Sequence, residues 1–339
     1  MKKQIAVLHG AGYVGGELIR LLLAHPEVVL RTVTSRAFAG EPVWKAHPAL
    51  RGETELEFFA DDADLMETDV VLIAAEHGKG AEAAVELLDG GYQGRIIDLS
   101  ADFRFKDPGL YDKWFGFTHP KPGLISSFVY GLPEVYAPYP DGTRYIANPG
   151  CFASGLALAL WPVAANLPTF RASVTALTGA SGSGARPKET THYPTREGNV
   201  RAYKVLRHQH LPEVQQVLGD GASVAFVPVS GPWIRGIWGT AQIELPDDGA
   251  DVGSWFHRAY DGRPFIRLWE SDLPELRFSV HTPFCDLGWM VQGRHLVIAF
   301  AMDNLLKGAA SQAVQNLNLL LGLPETTGLL PAASTLQAV

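Results

Sequence analysis

One glycine motif near the start of the chain constrains its fold more than any other feature. Residues 10–15 read Gly-Ala-Gly-Tyr-Val-Gly, directly after the apolar run Ile5–Leu8 and before an amphipathic stretch, Glu17–Ala24. Such glycines permit a tight turn, let the backbone approach a pyrophosphate and allow a helix to pack closely on a strand. The motif is weak alone in a chain with 35 glycines, but its place between a strand and a helix strengthens it. The pattern predicts a dinucleotide-binding turn made by Gly10, Ala11, Gly12, Tyr13, Val14 and Gly15.

The order of the apolar segments predicts an α/β protein with two domains. Short runs at Val28–Val33, Val70–Ala75 and Arg95–Leu99 alternate with helical patterns, which is typical of a doubly wound parallel sheet. From about Ser173 the apolar segments follow one another without regular helices between them, which favours a mainly antiparallel sheet. We therefore expect a Rossmann-type domain and an α+β catalytic and oligomerisation domain. Their predicted bounds are residues 1–149 with 304–339, and residues 150–303.

Charge, hydropathy and cysteine content exclude several classes of protein. The formal net charge is -8 and no long basic run occurs, which argues against a nucleic-acid partner. No apolar stretch approaches the roughly 20 residues of a membrane span, and the first apolar run is too short for a secretory signal. The two cysteines, Cys151 and Cys285, are not at metal-ligand spacing. We expect a cytoplasmic protein that has no metal site and no membrane partner.

The end of the second predicted strand indicates which dinucleotide binds. An NAD site usually has Asp or Glu there to accept the ribose hydroxyls. Here the strand runs into Thr34-Ser35-Arg36, and the next carboxylate is Glu41. Ser35 and Arg36 are suited to a 2′-phosphate, with Arg36 giving a charge-assisted contact. The alternative is that Arg36 is a solvated loop residue. We predict NADP.

Cys151 is the candidate nucleophile. It follows Asn148-Pro149-Gly150 and precedes the apolar helical run Leu156–Trp161, which puts it near a helix N-terminus. The helix dipole and free N–H groups at such a position stabilise a thiolate, and they also stabilise an oxyanion. The residues alone leave a reactive thiol and an inert buried thiol equally open. Cys285 is near no helix start, and core packing is its favoured role.

A thiolate nucleophile needs an acid or base nearby in space, and the densest cluster of such groups surrounds two histidines. His208 and His210 are two residues apart and share a face of an extended segment. Arg196, Arg201 and Arg207 supply the local positive charge that an anionic substrate needs in an acidic chain. A metal site at the two histidines would lack further ligands in the sequence.

Motifs along nearly the whole chain resemble one known family. In order they are Gly10–Gly15, Thr34–Arg36, Asp98–Arg104, Val129–Glu134, Asn148–Cys151, His208–His210, Asp303–Leu305 and Pro324–Leu329. In this order they resemble the N-acetyl-gamma-glutamyl-phosphate reductases of arginine biosynthesis, which are relatives of aspartate-semialdehyde dehydrogenase.

The resemblance implies that an acyl phosphate is reduced to an aldehyde. Cys151 would displace phosphate to give a thioester, NADPH would deliver hydride, and His208 would assist collapse of the thiohemiacetal. His208 is preferred over His210 as the acid/base because it is the first histidine of the motif.

The resemblance also implies which residues contact the ligands and how the chain assembles. The residues near the nicotinamide are Ser181, Gly182 and Asn304. The residues that bind substrate are Ser100, Arg104, Asn148, Arg201 and His210. A homodimer or homotetramer would form through the sheet of the second domain.

Several alternatives remain open. A sister group in lysine biosynthesis reduces a carrier-protein-bound aminoadipyl phosphate, and Thr34–Val43, His47–Gly52 and His192–Pro194 resemble that group. The arginine enzymes are favoured because Asn148-Pro149 precedes Cys151 and Phe152-Ala153 follows it. The family usually carries Gly-Ser/Thr-Asn where this chain reads His281-Thr282-Pro283.

Two further readings are weaker. A non-catalytic NADP-binding regulator would need neither Cys151 nor the histidines. A glyceraldehyde-phosphate-type dehydrogenase shares the thioester chemistry but leaves the Asp98–Arg104 motif unexplained.

Overall fold

The chain forms two compact units. The computed structural model describes residues 1–60, 63 and 65–330. One unit comprises Met1–Pro149 with the chain from Ala309 onward, and the other comprises Gly150–Gly308.

The second boundary between the units lies after Gly308, whereas we expected it before Asn304. Asn304 stays in the second unit because its side-chain oxygen accepts the backbone N–H of Gly236 at 2.6 Å. Residues 331–339, which we assigned to the dinucleotide-binding domain, lie outside the described residues.

Strands and helices occur along the whole described part of the chain. The strands are β1 (Lys3–Leu8), β2 (Val28–Thr34), β3 (Phe58–Phe59), β4 (Val70–Ile73), β5 (Arg95–Asp98), β6 (Phe128–Tyr130), β7 (Tyr145–Ala147), β8 (Phe170–Thr178), β9 (Arg201–Ala202), β10 (Ala222–Ser230), β11 (Ile237–Glu244), β12 (Ile266–Trp269), β13 (Cys285–Gln292) and β14 (His295–Met302). The helices are α1 (Tyr13–Leu23), α2 (Lys79–Asp89), α3 (Gly109–Phe115), α4 (Pro133–Tyr136), α5 (Cys151–Ala164), α6 (Tyr193–Arg196), α7 (Leu211–Leu218), α8 (Val252–Tyr260), α9 (Leu276–Ser279) and α10 (Ser311–Leu320). Short 3-10 turns lie at Val43–Lys45, Pro48–Leu50, Pro122–Ser127, Ala180–Ser183 and Glu189–Thr191, and a π-helix spans Leu306–Ala310.

The sheet of the first unit is parallel throughout, in the order β3-β2-β1-β4-β5-β7-β6. Side chains of β1 alternate between two cores, so that Ile5 and Val7 pack with α1 and α10 while Ala6 and Leu8 pack with α2. Burial on both faces explains why Ile5–Leu8 of β1 is a continuous apolar run without polar alternation. The expected doubly wound α/β fold is confirmed.

The sheet of the second unit is mixed, in the order β12-β13-β14-β11-β8-β10-β9. β8 and β14 both pair antiparallel with β11, and β13 pairs antiparallel with β14. β8 and β10 pair in parallel, as do β12 and β13. The sheet is therefore mainly antiparallel, as we expected.

The expectation that regular helices are missing between these strands was wrong. α7 lies between β8 and β10, and α8 lies between β11 and β12. A parallel pair needs a crossover connection, and α7 is part of the one between β8 and β10. The sequence carried the signal for α7, because Pro212 marks a helix start and Gly219 marks its end.

α5 is apolar on nearly all sides, which fits its burial within the second unit. Every residue from Phe152 to Leu160 is buried. Across residues 1–60, 63 and 65–330, no helix combines the length and apolar character needed to cross a membrane.

Candidate active site and dinucleotide site

Residues 10–15, here called the dinucleotide loop, connect β1 to α1 and are shaped by three glycines. A Cβ atom on Gly10 would lie 2.4 Å from Cγ1 of Val33, and one on Gly15 would lie 2.2 Å from the carbonyl oxygen of Gly10. A Cβ atom on Gly12 would meet nothing within 4 Å. Packing inside the protein thus requires the first and third glycines, while the second borders open space where a pyrophosphate can approach the backbone.

The N-terminus of α1 adds free backbone N–H groups beside the dinucleotide loop. Gly12 is the N-cap, no side chain caps the helix, and its first turn carries no acid. The first N–H groups of a helix lack intrahelical acceptors, and the helix dipole is positive there. The glycine loop and this terminus therefore fit the phosphates of a dinucleotide. Ala11, Tyr13 and Val14, the other predicted cofactor residues, lie at the same junction.

A cavity of about 330 Å³ adjoins the carboxyl ends of β1 and β2. Its lining includes His9 and Thr34, which are joined by a hydrogen bond from the His9 N–H to Thr34 Oγ1 at 3.1 Å. Arg36 and Lys79 both line it, so two cations border one cavity. We did not predict Lys79. The signal was its place at the start of a helix that follows a parallel strand.

The cavity also has acidic lining. Glu82 and Glu86 border it, and Glu82 Oε2 is 2.6 Å from Lys79 Nζ. Ser35, predicted as a cofactor residue beside Arg36, is buried, and its backbone N–H donates to the Phe59 carbonyl at 2.9 Å.

Two buried aspartates connect the end of β5 to the start of α2. The Ser100 hydroxyl donates to Asp98 Oδ2 at 2.9 Å and accepts the N–H of Asp102 at 3.1 Å. The Asp102 carboxylate accepts the N–H groups of Gly78 and Ala81 at 2.9 and 2.8 Å, which stabilises the N-terminus of α2. Burial and the charge of Asp102 raise the pKa of Asp98 to about 7, and burial raises the pKa of Asp102.

Arg104 and Asn148 belong to the same buried region. Arg104 donates from Nε to the Asn148 carbonyl at 2.8 Å and from Nη2 to the Leu99 carbonyl at 2.9 Å. The side-chain oxygen of Asn148 accepts a hydrogen bond from Asn316 at 3.0 Å. These bonds fix the chain where it leaves β5 and β7. A contact of Ser100, Arg104 or Asn148 with substrate stays a prediction.

Cys151 is the first residue of α5, in the second unit, and is half-buried. The residue before it, Gly150, is the N-cap, and its N–H donates to Glu213 Oε2 at 3.0 Å. Glu213 is fully buried, so a carboxylate from α7 anchors the turn that presents the thiol. A Cβ atom on Gly308 would lie 2.7 Å from the Cys151 Cβ, so this glycine makes room for the cysteine.

His208, the predicted acid/base, is enclosed by aromatic rings. Its ring centroid lies 5.4 Å from that of Phe152, 5.6 Å from that of Phe226 and 5.7 Å from that of Tyr203. Its Nδ1 accepts the backbone N–H of His210 at 3.2 Å. Burial, with the charges of His210 and Lys204, lowers the pKa of His208 to about 2. A ring that stays neutral in this way is poorly suited to proton transfer near pH 7.

His210 packs against the turn that carries the thiol. A Cβ atom on Gly150 would come within 2.5 Å of His210 Nε2, so the imidazole packs directly on the residue before Cys151. His210 is also the N-cap residue of α7, three positions before Glu213. His210 is thus a second candidate for the acid/base group, and the assignment of that role to His208 stays a prediction.

Tyr203 and Glu213 are two residues that we did not single out. Burial and the nearby Cys151 raise the pKa of Tyr203 well above its usual value. Both residues lie in or next to the segment that carries the histidines, but nothing in their spacing separates them from ordinary loop residues.

The residues predicted near the nicotinamide come together within the second unit. Ser181 and Gly182 lie in the turn after β8, and Asn304 Nδ2 donates to Ser181 Oγ at 3.0 Å. A Cβ atom on Gly182 would lie 4.0 Å from Asn304 Nδ2. The neighbouring Asp303 is fully buried and accepts Arg235 Nε at 3.0 Å, which holds the segment in place.

The predicted anion-binding arginine lies on a short edge strand. Arg201 is exposed on β9, which pairs with the end of β10 opposite Ser230. Arg196 donates to Ser230 Oγ and to the Gly231 carbonyl, and burial together with the charge of Arg201 lowers the pKa of Arg196. Two guanidinium groups are thus close together at this edge.

Cys285, the second cysteine, belongs to the protein core. Cys285 is fully buried in β13, which fits core packing. Within the described ranges 1–60, 63 and 65–330, no group of three or more His, Cys, Asp or Glu side chains is arranged to hold a metal ion.

Two family models match the chain along most of its length. The semialdehyde dehydrogenase NAD binding domain matches residues 4–139, and the semialdehyde dehydrogenase dimerisation domain matches residues 151–304. The N-acetyl-gamma-glutamyl-phosphate reductase of Methanopyrus kandleri is 41% identical, over 96% of this chain and 97% of its own. The chain belongs to the semialdehyde dehydrogenase family.

Other similar proteins agree on the family and differ in substrate. The [LysW]-L-2-aminoadipate/[LysW]-L-glutamate phosphate reductase of Saccharolobus solfataricus is 39% identical, over 97% of each chain. Aspartate semialdehyde dehydrogenase II from Vibrio cholerae has the same fold, with a TM-score of 0.71 and 18% identity, over 95% of this chain and 99% of that one. The chain is thus an aldehyde-forming oxidoreductase with an NAD(P)-binding domain, which argues against a non-catalytic regulator.

Proposed function

We propose that the protein reduces N-acetyl-gamma-glutamyl phosphate with NADPH, giving N-acetylglutamate 5-semialdehyde and phosphate in arginine biosynthesis. The observation that carries this proposal is Cys151 at the N-terminus of α5, with His210 packed on Gly150 and Glu213 bonded to it. The full-length similarity to the Methanopyrus kandleri reductase supports the substrate.

Cys151 acts as the covalent nucleophile. Its sulfur attacks the acyl carbon, the bond from that carbon to the phosphate oxygen breaks, and phosphate leaves with the electron pair. The first N–H groups of α5 stabilise the negative charge that develops on the carbonyl oxygen. Bound NADPH supplies the hydride that reduces the acyl carbon. The bond from Cys151 to that carbon then breaks and releases the aldehyde.

His210 moves the proton in our scheme, in place of His208. It accepts the thiol proton when Cys151 attacks and returns it to the sulfur as the aldehyde leaves. Glu213 is a positioning residue, because its bond to the Gly150 N–H fixes the turn between Cys151 and the imidazole. His208 supports His210 by accepting its backbone N–H.

NADP is the proposed cofactor, bound by the dinucleotide loop, Ser35 and Arg36. Two cations, Arg36 and Lys79, border the cavity at the end of β2. A 2′-phosphate is a dianion near neutral pH, and such a site stabilises it by charge-assisted hydrogen bonds. Ser181, Gly182 and Asn304 are the proposed contacts of the nicotinamide.

The anionic substrate requires positive charge that the chain as a whole does not provide. Arg201 is exposed at the edge of the second sheet and is the proposed ligand of the substrate's anionic groups. Ser100, Arg104 and Asn148 are the further proposed substrate residues. Because Arg104 donates to the Asn148 carbonyl and the Asn148 side chain accepts from Asn316, we propose that these two residues orient the carboxyl ends of β5 and β7 for substrate.

Assembly and location complete the proposal. On β8, Arg171, Ser173 and Thr175 are exposed, opposite the buried row that contains Val174. On the same side a cavity of about 430 Å³ is lined by Leu177, Trp233, Trp238 and Leu276 among others. We propose a homodimer or homotetramer through this face, in agreement with the dimerisation-domain match. A reduced nucleophilic thiol suits the cytoplasm, where we place the enzyme.

The test is the reverse reaction with purified protein, NADP, phosphate and N-acetylglutamate 5-semialdehyde, followed by NADPH absorbance. Cys151→Ser is expected to lower the rate by about 10³-fold or more while NADP still binds. Cys285→Ser is the matched control, because that thiol is buried in β13, and it should keep the rate. Full activity in Cys151→Ser would show the covalent scheme to be wrong.

The second candidate is reduction of a carrier-protein-bound aminoadipyl phosphate in lysine biosynthesis. The Saccharolobus solfataricus relative, named for such substrates, is almost as similar as the Methanopyrus kandleri enzyme, at 39% against 41% identity. A direct comparison of kcat/KM for the acetylated semialdehyde and a carrier-linked aminoadipate semialdehyde decides between them. A preference for the carrier-linked compound would replace the arginine assignment and add the carrier protein as a partner.

A further inference from the structure

The histidine of the His47-Pro48 segment contacts the dinucleotide loop. His47 Nε2 lies 2.7 Å from the carbonyl oxygen of Gly10. A carbonyl oxygen only accepts, so Nε2 carries the proton and donates it. The backbone N–H of His47 donates to the Val43 carbonyl at 3.1 Å, and Val43 is fully buried. The ring is therefore presented by a packed segment of the first unit.

The Gly10 carbonyl lies at the tightest point of the loop. A Cβ atom on Gly15 would be 2.2 Å from it, so α1 packs directly against this oxygen. A Cβ atom on Gly16 would lie 2.7 Å from His47 Nδ1, so the ring fills the space beside that glycine. Phe58 in β3 lies nearby, with its ring centroid 6.2 Å from that of His47. The imidazole is wedged between α1 and β3.

The protonation state of His47 suits a fixed donor. Burial lowers its pKa, against the opposing effects of the Gly10 hydrogen bond and the Glu17 charge. The ring is therefore neutral near pH 7, with one proton on Nε2 and none on the nitrogen that faces Gly16.

We propose that His47 is a positioning residue for the dinucleotide cofactor. In a trans peptide the C=O and the following N–H point in opposite directions, so holding the Gly10 carbonyl directs the Ala11 N–H away from His47. Without this donor, the Gly10 carbonyl loses the hydrogen bond that fixes its direction, and a peptide rotated toward the phosphates would present an oxygen that repels them. The inference rests on the proposed NADP binding and adds a residue from a segment that no part of the proposed mechanism uses.

The test measures NADP affinity of the free protein by isothermal titration calorimetry. His47→Leu is expected to weaken NADP binding about tenfold, because a buried acceptor loses its donor. His47→Gln places an amide N–H where Nε2 was and is expected to restore affinity to within about threefold. In the reverse reaction, the KM for NADP rises in His47→Leu while kcat at saturating NADP stays unchanged.

His25→Leu is the matched control. His25 is buried in the same unit, beyond the other end of α1, and its Nε2 lies 2.9 Å from Asn318 Oδ1. This variant should lose thermal stability and keep the wild-type Kd for NADP. If His47→Leu does not fold, His47→Asn replaces it, because the shorter amide does not reach Gly10.

Three outcomes overturn the inference. Folded His47→Leu that binds NADP as well as wild type removes the role of His47. His47→Gln that binds as weakly as His47→Leu removes the role of the donor. A wild-type protein that binds neither NADP nor NAD overturns the proposed cofactor and this inference together.

Discussion

The dinucleotide loop and the thiol site, which comprises Cys151, His210 and Glu213, are built in different ways. The loop uses backbone N–H groups, and its first and third glycines are required because a Cβ would collide with Val33 or with the Gly10 carbonyl. The thiol site brings together side chains from distant parts of the chain: Gly150, the residue before Cys151, is 63 positions from Glu213 and donates its N–H to that carboxylate. Substitutions that add atoms should therefore weaken dinucleotide binding at the loop. Substitutions that remove a functional group should lower the reaction rate at the thiol site.

After the loss of Cys151, the largest expected effect distinguishes His210 from His208. His210→Asn should lower kcat about 10² to 10³-fold, because the proton acceptor beside Cys151 is lost. His208→Asn should lower thermal stability through lost ring packing and change kcat less than about tenfold. Steady-state kinetics, NADP affinity and Tm of both variants check this. A larger kcat loss in His208→Asn would restore the assignment made from the sequence.

The next largest expected effect is on NADP affinity, in variants of two glycines of the loop. Gly15→Ala should weaken NADP binding about 100-fold and cost about 2 kcal/mol of stability, because α1 must move away from Gly10. Gly12→Ala should keep its Tm, since the added Cβ meets no atom within 4 Å, yet weaken NADP binding about tenfold by occupying the space beside the backbone. Calorimetry with NADP and thermal unfolding measure both. Equal loss of stability in the two variants would contradict a division of roles among the glycines.

The loop could be predicted from the sequence because its signal is contiguous. Gly10 and Gly15 each have a steric reason, Gly12 borders open space, and the apolar run Ile5–Leu8 directly precedes the motif. The helix position of Cys151 was recognisable for the same reason, since the residues that set it are neighbours in the chain.

The other residues of the thiol site could not be predicted from neighbouring positions in the sequence. The choice between His208 and His210 depends on burial among aromatic rings and on contact with Gly150, which lies some 60 residues earlier. Lys79 was missed because its relation to Arg36 arises only when parallel strands align their ends. The same limit applies to the parallel pairing of β8 with β10, which a run of apolar segments does not reveal.

A buried acid at the carboxyl end of β5 makes the stability of the first unit depend on pH. Burial and Asp102 raise the pKa of Asp98 to about 7 from an ordinary value of 3.8. Between these values the native protein keeps a proton that the unfolded chain has released, so the free energy of unfolding falls as pH rises through this window. Asp98→Asn should reduce that fall by about 2 kcal/mol, since Asp98 and Asp102 share the titration. Urea unfolding at pH 4, 5.5 and 7 measures it.

Asp69→Asn is the control for that measurement. Although burial alone would raise its pKa, the bonds from Lys3 and from the Gln4 N–H lower the pKa of Asp69 below 3.8. Its contribution is therefore present above the ordinary value and is lost as pH falls through the lowered pKa, the opposite direction from Asp98. The same pH slope in the two variants would show that Asp98 does not hold its proton.

The smallest expected effect concerns Arg36, which we assign together with Ser35 to the 2′-phosphate of NADP. Arg36→Ala should weaken NADP binding about tenfold and leave NAD binding unchanged, because only NADP carries the 2′-phosphate that the guanidinium would bond. Arg31→Ala is the control, since Arg31 is an exposed cation of β2 that pairs with Glu67 at 3.4 Å. It should change neither affinity. Equal weakening of both dinucleotides in Arg36→Ala would mean that the side chain supports the fold of the loop, and the preference for NADP would then have to come from Lys79 or Ser35.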